Sequence, residues 1–147
     1  MKKVLIYTDG ACKGNPGPGG YGGLIFQNGS QQEFKGSDPS TTNNIMEMTA
    51  AIVALKKLKE PSEVELYTDS EYLVKGMTEW MDNWVRRNWT TSTKKPVKNK
   101  ELWQELRRLN DTHRITWKWV RGHAGHPQNE RADQLANEAI VDMQRQR

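Results

Sequence analysis

Two stretches of the chain finish on the same three residues, Tyr7-Thr8-Asp9 and Tyr67-Thr68-Asp69. Each closes a short β-favouring run, Val4 to Thr8 and Val64 to Thr68, so each reads as a strand that delivers a carboxylate at its end. If the two strands are parallel neighbours, both acids project beyond the carboxyl ends of the sheet, where open α/β sheets bind ligands. Glu47 is the only charged residue between Ile45 and Leu55, on a segment whose apolar residues imply a buried helix. Asp133 sits beside Ala132, at the margin of the apolar stripe of a later helix. Two carboxylates about 4 Å apart repel by roughly 4 kcal/mol at an effective dielectric near 20. A fold that gathers several must protonate some of them or bind cations. Carboxylate oxygens without a cysteine or histidine cluster suit Mg²⁺ or Mn²⁺, and two such ions could activate water and stabilise the leaving oxygen of a phosphodiester. Simpler roles stay open for each acid: Asp9 can start a turn with Gly10, and Asp69 can cap a helix. Asn44 to Glu47 has the spacing of a capping box with Asn44 as the cap, and Asp133 can be a solvated helix acid.

The elements that must position these acids follow from patterning. After the first strand comes a Gly/Pro-rich turn, Gly14 to Gly20, then a second strand from Tyr21 to Gln27. Asn28-Gly29 signals a hairpin into a third strand, and Pro39 to Asn44 reads as polar turn. A helix is expected over Ile45 to Leu58. Helical spacing resumes after Ser70 and again at Leu102, Leu106 and Leu109. Ile115 to Val120 alternates as a fifth strand. Ala132, Leu135, Ala136, Ala139, Ile140 and Met143 then share one stripe of a final helix. Hairpin strands followed by strands alternating with helices indicate a mixed α/β sheet in a single domain covering residues 1–147.

The bulk properties narrow the setting. Mean hydropathy is −0.90 and no long apolar run occurs, which argues against a membrane span. Met1-Lys-Lys is basic, but the apolar run behind it is too short for an export signal. Cys12 is the only cysteine, so no internal disulfide forms and a cytoplasmic setting is expected. The net charge is +4. Arg86, Arg87, Lys94, Lys95, Lys98 and Lys100 crowd the stretch from Trp84 to Lys100 without an acid, leaving the remainder slightly negative. Such an island suggests a polyanion handled at one place. Trp80, Trp84, Trp89 and Trp103 are interleaved with or flank these cations, as aromatic faces do where they pack on sugars or bases. Trp80 and Trp84, four apart, can equally be core residues.

Five segments together carry a resemblance. Thr8-Asp-Gly-Ala-Cys-Lys-Gly-Asn-Pro-Gly-Pro-Gly-Gly-Tyr-Gly22, Thr42-Asn-Asn-Ile-Met-Glu47, Tyr67-Thr-Asp-Ser70, Val120-Arg-Gly-His-Ala-Gly-His126 and Asn129-Glu-Arg-Ala-Asp133 occur in that order. They resemble the motifs of bacterial-type ribonuclease HI over essentially the whole chain. The resemblance implies the ribonuclease H-like fold, a five-stranded mixed sheet with helices on both faces. It implies endonucleolytic hydrolysis of the RNA strand of RNA–DNA hybrids, by two Mg²⁺ ions for which Mn²⁺ can substitute, leaving 5′-phosphate and 3′-hydroxyl ends. Asp9, Glu47, Asp69 and Asp133 would be the metal-binding catalytic set. His123 would assist proton transfer or product departure from a mobile loop; a metal pair with His126 is the weaker alternative, as no further soft ligand is evident.

Discrimination of RNA must read the 2′-hydroxyl. Asn15, Asn43 and Asn44, with Thr42 beside them, match family positions at the minor groove of the hybrid. Turn and cap chemistry can occupy the same side chains. The basic segment, about 80–100, resembles the family's protrusion that grips the DNA strand, although Val85 and Asn88 stand where Lys and Gly are usual and Glu71 where Gln is usual. The binding set is therefore Asn15, Thr42, Asn43, Asn44, Trp80, Trp84, Arg86, Arg87, Trp89, Lys94, Lys95, Lys98 and Trp103. The expected partner is the hybrid duplex, the expected state a monomer. The rival readings are a catalytically silent hybrid-binding module, another nuclease of the same fold, and an α/β domain whose acids are merely solvated.

Overall fold

Alternating burial along β1 (Lys2–Cys12) places Val4, Ile6 and Thr8 on one face of a sheet and Leu5, Tyr7 and Asp9 on the other. The computed structural model describes residues 1–122 and 125–146. β1 pairs antiparallel with β2 (Gly17–Gln27), and β2 antiparallel with β3 (Ser30–Thr41). On its other side β1 runs parallel to β4 (Ser62–Thr68), which runs parallel to β5 (Arg114–Trp119). The sheet is therefore five-stranded and mixed, in the order β3-β2-β1-β4-β5, as expected.

Its strands outrun the sequence reading. The glycine-rich turn is partly strand, because Gly17, Gly19 and Gly20 pair with Thr41, Asp38 and Ser37 across a bulge. Pro39 lies within β3 rather than in a turn. β3 is an edge, where a missing N–H costs no ladder bond on the open side.

α1 (Asn43–Lys56) starts earlier than expected and corrects the capping-box reading. Thr42 is the cap, its Oγ1 accepting from the Ile45 N–H at 3.2 Å, and Asn44 lies exposed inside the first turn. Likewise Ser70, not Asp69, caps α2 (Glu71–Lys75), accepting from the Leu73 N–H at 3.1 Å. A π-helical turn, Gly76–Trp80, joins α2 to α3 (Met81–Arg86). α4 (Lys100–Thr112) follows the basic segment, and α5 (Pro127–Arg145) ends the described fold, with Pro127 suited to its first position.

α1 packs on β1 and β2 and against α4 on one face, enclosing Val4, Ile6, Ile25, Met48, Leu55, Leu66 and Leu106. α5 lies across β1, β2 and β3, meeting the opposite parity: Gly22, the partner of Asp9, abuts Leu135 and Ala136. Helices therefore cover both faces. Among the described residues no helix is long and apolar enough to cross a membrane.

Candidate active site

The parallel register Tyr7↔Tyr67 makes the two Tyr-Thr-Asp endings neighbours, and their tyrosine rings stack at 4.8 Å and 10°. Asp9 and Asp69 thus leave the sheet side by side. Gly10 lets α1 come in against them: a Cβ there would lie 2.5 Å from the Glu47 backbone nitrogen. That close approach delivers Glu47 from the first turns of α1. One carboxylate oxygen from each of Asp9, Glu47 and Asp69 lies within 4.8 Å of the other two. Asp133, carried by α5, stands beyond this triad but faces Asp9 and lines the same cleft of about 410 Å³, with Asn43, Cys12 and Asn137. The structure therefore brings all four expected acids to one place.

Crowding and burial govern their protonation without metal. Asp9 is 4% exposed and its carboxyl is pushed up to about 8, first by burial, then by the charge of Asp69, with a smaller opposing effect from the Gly10 N–H at 2.9 Å. Glu47, also 4% exposed, is raised well above the usual carboxylate range by burial and by Asp9 and Asp69. Its Oε1 is buried with no hydrogen-bond partner among the described residues. An orphaned acceptor, two carboxyls held toward the neutral form and an all-oxygen donor set fit a hard divalent cation.

Asp69 has its own frame. The Trp119 indole N–H donates to the Asp69 carbonyl at 3.1 Å, and the Val120 N–H donates to the Thr68 carbonyl at 2.9 Å. Gly122 then passes so close that a Cβ would lie 2.7 Å from Asp69 Oδ2. His123 lies outside the described residues. His126 is exposed at the start of α5.

The asparagines flank the cleft as a linked pair: Asn15 Oδ1 accepts from the Asn43 N–H at 3.2 Å, and Thr42 adjoins them through its cap. Asn44 is exposed and Asn43 lines the cleft itself.

The basic island divides. Arg86, Arg87, Lys94, Lys95 and Lys98 are exposed. None of them forms an ion pair among the described residues, unlike Lys35 or Arg131, which are held by acids. Trp80, Trp84 and Trp89 are half-buried and form a run of rings, at 5.8 Å between the first two and 6.4 Å between the last two. Trp103 is a correction. It is 0% exposed, donates its indole N–H to Tyr72 Oη at 3.2 Å, and packs at 5.2 Å from Trp84. It anchors the run in the core, with no face left for a duplex. The segment also takes left-handed backbone at Asn88 (φ 53°), Trp89 (φ 62°) and Lys94 (φ 65°), which accounts for a glycine being usual at the first of these.

Sequence reasoning missed Trp119, Asn137, the close approach of Gly122 to Asp69, and Asn83 with Thr90–Ser92, which share a groove with the expected Trp80, Trp84 and Arg87. Only Asn137 had a readable signal, its four-residue spacing from Asp133 on a helix.

Comparison with known proteins agrees with this geometry. The RNase H family model matches residues 1–141. Ribonuclease H of Thiobacillus denitrificans is 60% identical over 138 residues, covering 94% of this chain and 93% of the relative. Ribonuclease HI of Brucella melitensis biotype 1 is 58% identical over 136 residues, covering 92% and 88%. Among solved structures, LC9-RNase H1, described as a type 1 RNase H with the type 2 active-site motif, superposes with a TM-score of 0.86 at 36% identity, covering 97% of this chain and 74% of that one. LC11-RNase H1 in complex with RNA/DNA hybrid gives a TM-score of 0.73 at 30% identity, covering 95% and 98%.

Proposed function

The chain belongs to the ribonuclease H family, and from that premise we infer that it is an endonuclease hydrolysing the RNA strand of RNA–DNA hybrids. The observation that carries the reading is the triad of buried Asp9 and Glu47 with half-buried Asp69, whose oxygens converge within 4.8 Å. Those three, with Asp133, would hold Mg²⁺, or Mn²⁺ in its place, as two ions. Bound there, the ions supply Lewis acidity to the phosphate and a water of lowered pKa. The chain's own part is to fix the oxygens. Gly10 and Gly122 remove the side chains that would push Glu47 and Asp69 aside, and burial strips water from the carboxyls of Asp9 and Glu47.

Water attacks phosphorus, the bond from phosphorus to the 3′ oxygen breaks, and that oxygen takes up a proton. The ends are a 5′-phosphate and a 3′-hydroxyl, and no covalent enzyme intermediate forms. His123 assists proton transfer or product departure. Asn15, Asn43 and Asn44, with Thr42, read the minor groove, where the 2′-hydroxyl offers both a donor and an acceptor. Arg86, Arg87, Lys94, Lys95 and Lys98 hold phosphates beside Trp80, Trp84 and Trp89. The enzyme works as a monomer in the cytoplasm, which its lone, half-buried Cys12 suits.

The test presents one labelled RNA strand to the protein singly, as an RNA duplex and paired with DNA, each with Mg²⁺ or with EDTA. Cutting of the hybrid alone, and only with metal, is the expected result. Binding without cutting at any Mg²⁺ or Mn²⁺ level would replace this reading with a silent hybrid-binding module.

A further inference from the structure

Three of the four acids are held by their surroundings. Asp9 accepts from the Gly10 N–H, Glu47 is buried under the packing of α1, and Asp69 is bounded by Trp119 and Gly122. Asp133 differs: it is carried by α5 and lies outside the convergent triad, so its side chain has more freedom to turn away. The donor that reaches it is Asn137, one helical turn on. Asn137 Nδ2 donates to the Asp133 carbonyl at 2.9 Å and to the Asp133 carboxylate Oδ1 at 3.3 Å, and both residues line the acidic cleft.

We propose that Asn137 is a positioning residue of the acidic cleft, tying the Asp133 carboxylate to its own helix so that it faces Asp9 ready for a divalent cation. The chemistry of an amide suits this task. It donates to a carboxylate without carrying charge, so it orients the acid and does not compete with the incoming ion. A lysine or arginine at this position would pair with Asp133 and oppose the cation. The two donor bonds come from a single nitrogen whose second anchor is a helix carbonyl, which fixes the amide plane as well as the acid. Partners of this kind around ligating carboxylates govern affinity for the metal more than they govern folding.

The inference rests on the metal-dependent reading of the site, so the experiment separates the two. Calorimetric titration of Mn²⁺ alone into the metal-stripped full chain is compared for wild type, Asn137→Ala, Asn137→Gln and Asp133→Asn. Asn137→Ala should bind Mn²⁺ about tenfold more weakly. Its kcat should fall at limiting metal and recover in excess, with KM for the hybrid unchanged. Its melting temperature should not drop, since alanine is the better helix former. Asn137→Gln, whose amide can still reach a carboxylate four residues back, should recover most of the loss. Asn137→Ala binding Mn²⁺ like a competent wild type would overturn the positioning role alone. A melting point lowered with Mn²⁺ affinity intact would overturn it too, reducing Asn137 to a helix contact. Failure of wild type itself to take up Mn²⁺ would overturn the metal reading along with it.

Discussion

At the scale of single residues, the metal-free protein stores repulsion where its chemistry lies. Asp9 holds its proton up to about 8, whereas the unfolded chain releases it near the ordinary carboxylate value. Between about pH 4 and pH 8 the folded state therefore binds a proton that the unfolded state has lost, and stability falls as pH rises through that window. Glu47 is shifted in the same direction and adds to the slope. Asp9→Asn should abolish cutting. In EDTA at pH 8 it should melt above wild type, by an amount on the order of several kcal/mol, with the difference vanishing near pH 4. Melting curves at the two pH values decide the matter: a variant no more stable than wild type at pH 8 would refute crowding. Asp9, Asp69 and Glu47 were legible because the repeated Tyr-Thr-Asp and an isolated Glu in an apolar helix are unusual in themselves, whereas Asp133 stood out only through the family resemblance. Asn137 left only its four-residue spacing from Asp133, and an asparagine on a helix shows its purpose only once its partner is known. Trp103 was misread because tryptophan beside a basic stretch is equally suited to stacking and to the core. Its stripe with Leu106 and Leu109 in α4 decides for the core.

At the scale of elements, what positions the site is the join between β3 and α1. The sequence shows a helix beginning near residue 45 and reads Asn44 as its cap. Bond geometry overturns that reading and selects Thr42. Thr42→Ala should therefore cost about 1 kcal/mol in urea denaturation with an unchanged m-value. Asn44→Ala, exposed inside the helix, should cost nothing or stabilise slightly. The reverse order would restore the capping box. Strand centres and helix stripes were readable from period and propensity, while strand ends were not. Gly17, Gly19 and Gly20 are poor strand formers that extend the ladder because Thr41, Asp38 and Ser37 meet them across the sheet.

At the scale of the whole molecule, one chain keeps two charge regimes apart: a cleft of crowded acids and a segment of cations without ion pairs among the described residues, clipped to the core through Trp84 and Trp103. Replacing Lys94, Lys95 and Lys98 by Gln should weaken hybrid binding and flatten the plot of log affinity against log salt by about 2. Stability should change by less than about 0.5 kcal/mol, and cutting at saturating hybrid should persist. Fluorescence titrations across a salt series measure the slope, and an unaltered slope would remove the island from the phosphate contacts. The fourth acid rides on the helix that also roofs one face of the sheet: α5 carries Asp133 and buries Ala132, Leu135, Ala136, Ala139 and Ile140 over β1, β2 and β3. Loosening that helix therefore uncovers the sheet and withdraws Asp133 from the cleft in a single event.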